Sequence, residues 1–263
     1  VGAFFEDAWR KKELPQFFKA TGVLIVAGLI GVSINLSNLY HTYEYSKETM
    51  RGKSELKYEG AAAKQTSSGL NRDYITQWSY GIGETFSLLV PNVKGGASVP
   101  LSRSEKAMEK ANPMYSSLYS QLTQYFGDQP MTSGPVYVGA FVLMLFILGC
   151  FIVKGPMKWA LLGATIFSIL LSWGKNFMGL TDFFIDYIPM YNKFRAVSSI
   201  LVIAEFTIPL LAILTLKEIL TKPELLKEKL KYIYISFGLT GGLALLFAIA
   251  PRLFFPTYIP GNE

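Results

Sequence analysis

The chain has 263 residues, 51% of them hydrophobic, 14% aromatic and only 17% charged, with a net charge of +6 and a mean hydropathy of +0.30. Soluble chains carry about 25% charged residues, so this composition excludes an ordinary soluble domain and points to a membrane protein. A single cysteine, Cys150, and a single histidine, His41, exclude a disulfide framework, a cysteine-based metal site and multi-histidine zinc chemistry within this chain.

The basic residues sit in blocks beside apolar runs, and no nucleic-acid partner is expected. The opening Val-Gly lacks an initiator Met, and the first residues lack the order of a signal peptide, so the reading is of a piece of a longer polypeptide. Runs long enough to cross about 30 Å of hydrocarbon predict an all-α polytopic fold with about five membrane helices.

In chain order, residues 1–16 form a flank with Arg10, Lys11 and Lys12, and residues 17–39 are the first span. Residues 40–135 form a long loop subdomain, which opens as a continuation of the first helix through Tyr40, Tyr43 and Tyr45, breaks at Arg51-Gly52, and passes through a Ser/Lys/Gly-rich stretch, 53–69. Residues 136–153 and 157–173 are the second and third spans. An outer connection, 174–196, leads to the fourth span, 197–216; residues 217–231 link it to the fifth, 232–255, and residues 256–263 end the chain. Lys154, Lys158, Lys217, Lys222, Lys227, Lys229 and Lys231 join the N-terminal flank on one side of the membrane. Basic short loops stay in the cytoplasm, which puts the N-terminus inside and the long loop, the 174–196 connection and the C-terminal end outside.

Small residues mark candidate helix contacts: Gly238 and Gly242 as GxxxG, Ala27 and Gly31 as a looser version. Thr165, Ser168 and Ser172 share one helical face, expected to look into the bundle. Gly81-x-Gly83 follows no strand and opens no long helix, which argues against a nucleotide fingerprint.

Four groups carry candidate chemistry. Trp78, Tyr80 and Glu84 lie in an aromatic, turn-rich patch of the long loop. Asp182 and Asp186 share a face of an expected interfacial helix whose apolar residues are 183, 184, 187 and 188; they read either as a solvated face near a helix end or as a metal or catalytic pair. Lys193 and Arg195 precede the fourth span, where cations oppose the helix dipole and the charge rule at once. A phosphate held on the helix N–H groups would relieve both, and snorkelling to ordinary lipid phosphates is the alternative. Glu205 is the one acidic residue in a membrane segment, near the midplane, with Pro209 four residues on to kink the helix; it is expected to face the bundle, paired or protonated, with an ion pathway as the alternative.

The strings Tyr43-Glu-Tyr45 with Arg51-Gly52, Trp78-Ser-Tyr80-Gly with Glu84 and Pro91-Asn92, Tyr125-Phe-Gly127-Asp-Gln-Pro130 with Gly134-Pro-Val-Tyr137-Val-Gly139, and Pro189-Met-Tyr-Asn-Lys193-Phe194-Arg195 together resemble the YfhO family of bacterial membrane proteins, of the Bacteroidetes type. The resemblance spans about residues 15 to 255. That family resembles the GT-C superfamily of multi-spanning glycosyltransferases, which use polyprenyl-phosphate-linked sugars at the outer face. The resemblance implies a bacterial inner-membrane location, a polyprenyl-phosphate sugar donor, membrane lipid, and an extracytoplasmic glycan or lipid acceptor. It assigns the donor phosphate to Lys193 and Arg195 and sugar or acceptor contact to Trp78, Tyr80 and Glu84. Catalytic acids, and any divalent metal they hold, are expected upstream in the full-length protein, so no metal site is assigned here. The rival reading is a non-enzymatic membrane transporter or an envelope-assembly scaffold.

Overall fold

The computed structural model describes residues 2–49, 52 and 70–255; Arg51, the stretch 53–69 and the end segment 256–263 fall outside the described residues. Among the described residues the structure is helical, with no strand and two isolated bridges, Val93 with Gly95 and Pro100 with Thr123. The chain divides into two units, Val1–Leu70 and Asn71–Glu263.

In the first unit, α1 (Gly2–Arg10) carries the exposed pairs Glu6 with Arg10 and Asp7 with Lys11, each one helical turn apart. The next helix, α2 (Leu14–Ile34), starts with Pro15 in its first turn, where a missing N–H is harmless. Its 21 residues span roughly 31 Å, enough to cross a bilayer. None of its side chains is buried within this unit. Asn35 separates it from α3 (Leu36–Lys47), which continues the helix through the tyrosine-rich stretch.

The second unit begins with the short helices α4 (Arg72–Ile75), α5 (Glu105–Met108) and α6 (Ser116–Gln121) and a 3-10 turn, Gly83–Leu88. The bundle follows: α7 (Ala140–Ile152), α8 (Met157–Ser172), α9 (Met178–Tyr187), α10 (Val202–Thr221, entered through a 3-10 turn at Val197–Leu201), α11 (Leu225–Glu228), α12 (Leu230–Phe237) and α13 (Leu243–Ile249), the last two joined by a π-helical turn, Gly238–Gly242.

Of the five expected crossings, three among the described residues are helices long and apolar enough to span, Leu14–Ile34, Val197–Thr221 and Leu230–Ile249, and the pair Met157–Ser172 with Gly174–Tyr187, bent by 109°, makes a fourth if it counts as one. α7 falls short because Gly134 and Gly139 have positive φ and the chain stays extended up to Ala140. Its 13 residues reach only about 20 Å.

The core lies where α10 packs on α7 and α8. Ala204, Ile208 and Leu211 recur every third or fourth residue and meet Phe146 and Leu161. At Gly149 an added Cβ would strike Thr215 Oγ1 and come 3.0 Å from Leu211 Cγ. The hydroxyl stripe of α8 is buried, and Thr165 meets Thr207 of α10 at 2.7 Å. By contrast, a Cβ at Gly238, Gly242 or Gly31 would meet nothing within 4 Å, so the GxxxG contacts expected there are not made among the described residues.

The two ends of the second unit differ. At one, Phe151 stacks on Tyr232 with centroids 4.8 Å apart and Lys158 reaches the Cys150 carbonyl, so the lysine-bearing connections lie together. At the other, the long loop is built onto the helix ends. Tyr80 N–H donates to the Ser172 carbonyl at 2.8 Å, Ser198 N–H to the Trp78 carbonyl at 3.1 Å, and Lys175 N–H to Ser79 Oγ at 2.8 Å. Gly174, at φ 45°, turns the chain between α8 and α9 against Ser79, a conformation and a space that a side chain would not fit.

Candidate functional site

The segment after α9 positions Arg195. Pro189 follows the helix, and Met190 and Ala196, at φ 71° and 68°, hold left-handed conformations that cost about 1 to 3 kcal/mol each in non-glycine residues. Between them Phe194 is extended and exposed. Arg195 Nη1 donates to Tyr74 Oη at 2.7 Å, and the guanidinium lies 5.0 Å from the Tyr74 ring centroid and 6.0 Å from that of Trp78. Aromatic faces attract and orient such a cation. Beside it runs an open groove of about 410 Å³, walled by Phe194, Val197, Ile200, Val202 and Ile203, with Arg195 in its lining. Lys193 is half-buried in the preceding turn and is not part of that lining. Tyr191 does line it, and burial raises its pKa.

Tyr74 is fixed from the other side of α4. Arg72 Nε donates to Asp182 at 3.1 Å, and its Nη2 reaches both oxygens of Asp186 at 2.7 and 2.8 Å. Desolvation lowers the Arg72 pKa, but its hydrogen bonds to Asp186 and Asp182, with their charges, outweigh it and the net shift is upward. The two aspartates of that candidate polar pair therefore meet a guanidinium and form a two-carboxylate clamp on it. On the same helix, α9, Thr181 and Ile185 are the buried residues, while Phe183 and Tyr187, on the expected interfacial face, are exposed.

The sugar-contact expectation also changes. Tyr80 and Glu84 are 2% and 4% exposed and offer no face to a ligand. The Glu84 carboxylate accepts from Tyr125 Oη and, at 2.6 Å, from Gly81 N–H, while Tyr80 Oη bonds Ser87 Oγ and the Glu84 carbonyl. Desolvation raises the pKa of both tyrosines, and at Tyr125 the hydrogen bond to Glu84 adds to it. A cavity of about 10 Å³ beside them has room for about one water. Trp78 alone of the three borders the Arg195 site; its indole N–H is buried without a partner among the described residues.

Sequence reasoning missed Arg72, Tyr74 and Asp128. Asp128 is exposed, and its Oδ2 accepts from Asn176 Nδ2 at 2.9 Å. The same amide donates to the Tyr80 carbonyl at 3.0 Å, and Lys175 Nζ donates to the Asp128 carbonyl at 3.1 Å. Gly127-Asp-Gln-Pro130 carried the turn signal but not its partners, which lie almost fifty residues further on.

Glu205 requires the plainest correction. Its side chain is exposed, because Ala204, Thr207, Ile208 and Leu211 take the inward face of α10 and leave residue 205 on the flank with Val202 and Phe206. The hydroxyl stripe of α8 meets Thr207 instead. Among the described residues no group of three or more His, Cys, Asp or Glu is placed to hold a metal ion.

No family model matches the chain, and neither a curated protein nor a solved structure is similar to it.

Proposed function

We propose that this chain is part of a GT-C-like membrane glycosyltransferase that takes a sugar from a polyprenyl-phosphate donor and passes it to an extracytoplasmic glycan or lipid acceptor. One observation carries the reading: a guanidinium stacked on two aromatic rings stands at an apolar groove where a membrane helix begins. An isoprenoid tail fits such walls, and a phosphate fits an arginine fork. Lys193, two residues away, adds positive charge. In this reading the protein lies in a bacterial inner membrane with its lysine-rich end in the cytoplasm, and the general base comes from outside this chain.

The second reading is a non-enzymatic lipid-glycan transporter or an assembly scaffold, which would use the same lipid-binding groove without a catalytic acid. A sugar-transfer assay of the complete protein with polyprenyl-phosphate sugars separates the two. Arg195-dependent transfer supports the enzyme; Arg195-dependent lipid binding without transfer to any acceptor supports the transporter.

A further inference from the structure

From the same outer end of the bundle we infer a second contact, resting on the donor reading above: Asp128 is a hydroxyl-binding carboxylate that receives the sugar of the lipid-linked donor. The argument begins with how the carboxylate is held. Asn176 grips only Oδ2, and Oδ1 has no hydrogen-bond partner among the described residues. Asn176 is itself anchored on the Tyr80 carbonyl, so the grip is fixed to the loop that caps the bundle. Lys175 turns to the main-chain carbonyl of Asp128 and makes no ion pair with its carboxylate. The carboxylate thus keeps one oxygen open, aimed by neighbours, which is the arrangement that receives a hydroxyl with little ordering cost.

Position supplies the second part. A Cβ at Gly81 would stand 3.0 Å from Asp128 Oδ2 and 2.9 Å from Glu84 Oε2, so the missing side chain there lets Asp128 come in against the loop. Three residues earlier, Trp78 lies under Arg195, and three residues of extended chain cover at most about 10 Å. Gln129, next to Asp128, meets Ser198 at 3.3 Å, three residues after Arg195. The phosphate-sized cation site and the hydroxyl-binding carboxylate are therefore tied twice through the same short segments. A phosphate-linked hexose is the ligand that brings an anion and hydroxyls to the two ends of such a site.

The experiment measures equilibrium binding to the complete protein in lipid nanodiscs of two kinds of probe, bare polyprenyl phosphate and polyprenyl-phosphate glucose, galactose and mannose. Wild type is expected to bind at least one hexose form more tightly than the bare lipid. Asp128→Asn should lose that margin, weakening hexose-lipid binding about tenfold or more, with bare-lipid binding unchanged. Asp128→Glu should keep part of it. Should Asp128→Asn disturb the outer segment, Asn176→Ala gives the same readout, because it releases the carboxylate without removing it, and the margin should shrink. A full margin in both variants, or no margin for wild type with any of the three hexoses, overturns the assignment. Bare-lipid binding that depends on Arg195 but shows no hexose margin removes this inference alone; no binding of either probe removes the donor reading with it.

Discussion

Arg72 holds both oxygens of Asp186, 114 residues away in sequence, while its Nε holds Asp182. The two carboxylates stand one turn apart on α9, so one guanidinium spans them only if that helix is formed. Two residues on, Tyr74 receives Arg195. The clamp thus sets where the aromatic platform stands. The aspartates are more than a third exposed, so solvent screening reduces the pair to about 1 kcal/mol of stability. Arg72→Lys keeps the charge but loses the fork, and is expected to speed hydrogen exchange in α9 and α4 with little change in the unfolding temperature. Unaltered exchange there would count against the clamp.

Tyr125 gives a prediction with a sign. Its pKa in the folded protein lies above the ordinary value of 10.0, so the unfolded chain releases the proton first as pH rises. Stability from this group is complete below about pH 10 and declines above it. The cap formed by residues 76–88 and 125–129 should loosen in alkali before the helices do. Tyr125→Phe should flatten that dependence while costing about 1 to 3 kcal/mol at neutral pH, since it takes a partner from buried Glu84. Tryptophan fluorescence against pH reads both, Trp78 and Trp173 being in or beside the cap.

Glycine substitutions separate real from apparent close packing. Gly149→Ala should destabilise by about 1 to 3 kcal/mol, because the new methyl collides with Thr215 and Leu211 of α10. Gly238→Ala and Gly242→Ala meet open space and should be neutral or add up to about 1 kcal/mol by helix propensity. Thermal unfolding in one detergent orders the three, and a reversed order would refute the packing described for α7 and α10.

These cases show what local sequence carries. The α10 pattern is legible because Ala204, Ile208 and Leu211 repeat with the helix period. The place of Glu205 within an apolar helix is legible too, but its face is not, since that depends on which neighbours α10 meets. Among the described residues Gly238 and Gly242 have the spacing of a contact without its partner, whereas Gly149 has the partner without the spacing. Arg195 stands out as a cation at a helix start. Its support from Tyr74, and through it from Arg72, joins segments more than a hundred residues apart, where no periodicity reaches.

The lysine-bearing ends make topology testable. With Cys150 replaced, a cysteine at Ser116 should react with an impermeant thiol reagent added outside intact cells, and one at Thr221 should not. Labelling of Thr221 alone would invert the proposed orientation.

Arg195 itself gives the sharpest test of the proposed donor site. Its guanidinium is drawn to the Tyr74 and Trp78 faces and bonded to the Tyr74 hydroxyl, so its fork is already oriented at the groove. Arg195→Lys keeps the charge but replaces a planar fork with a point charge, and should weaken polyprenyl-phosphate binding roughly tenfold. Arg195→Ala removes charge and fork together and should cost more. Lys193→Ala should cost less than either, because Lys193 lies outside the groove lining. Tyr74→Phe leaves the ring but frees the Arg195 Nη1 hydrogen bond, and should produce a loss smaller than that of Arg195→Ala, since the cation still rests on two aromatic faces. Binding of a polyprenyl phosphate to the four purified variants, each checked for a wild-type unfolding curve, gives the order. Equal affinity of Arg195→Ala and wild type would end the donor-site reading and leave Arg195 as an anchor for ordinary headgroups.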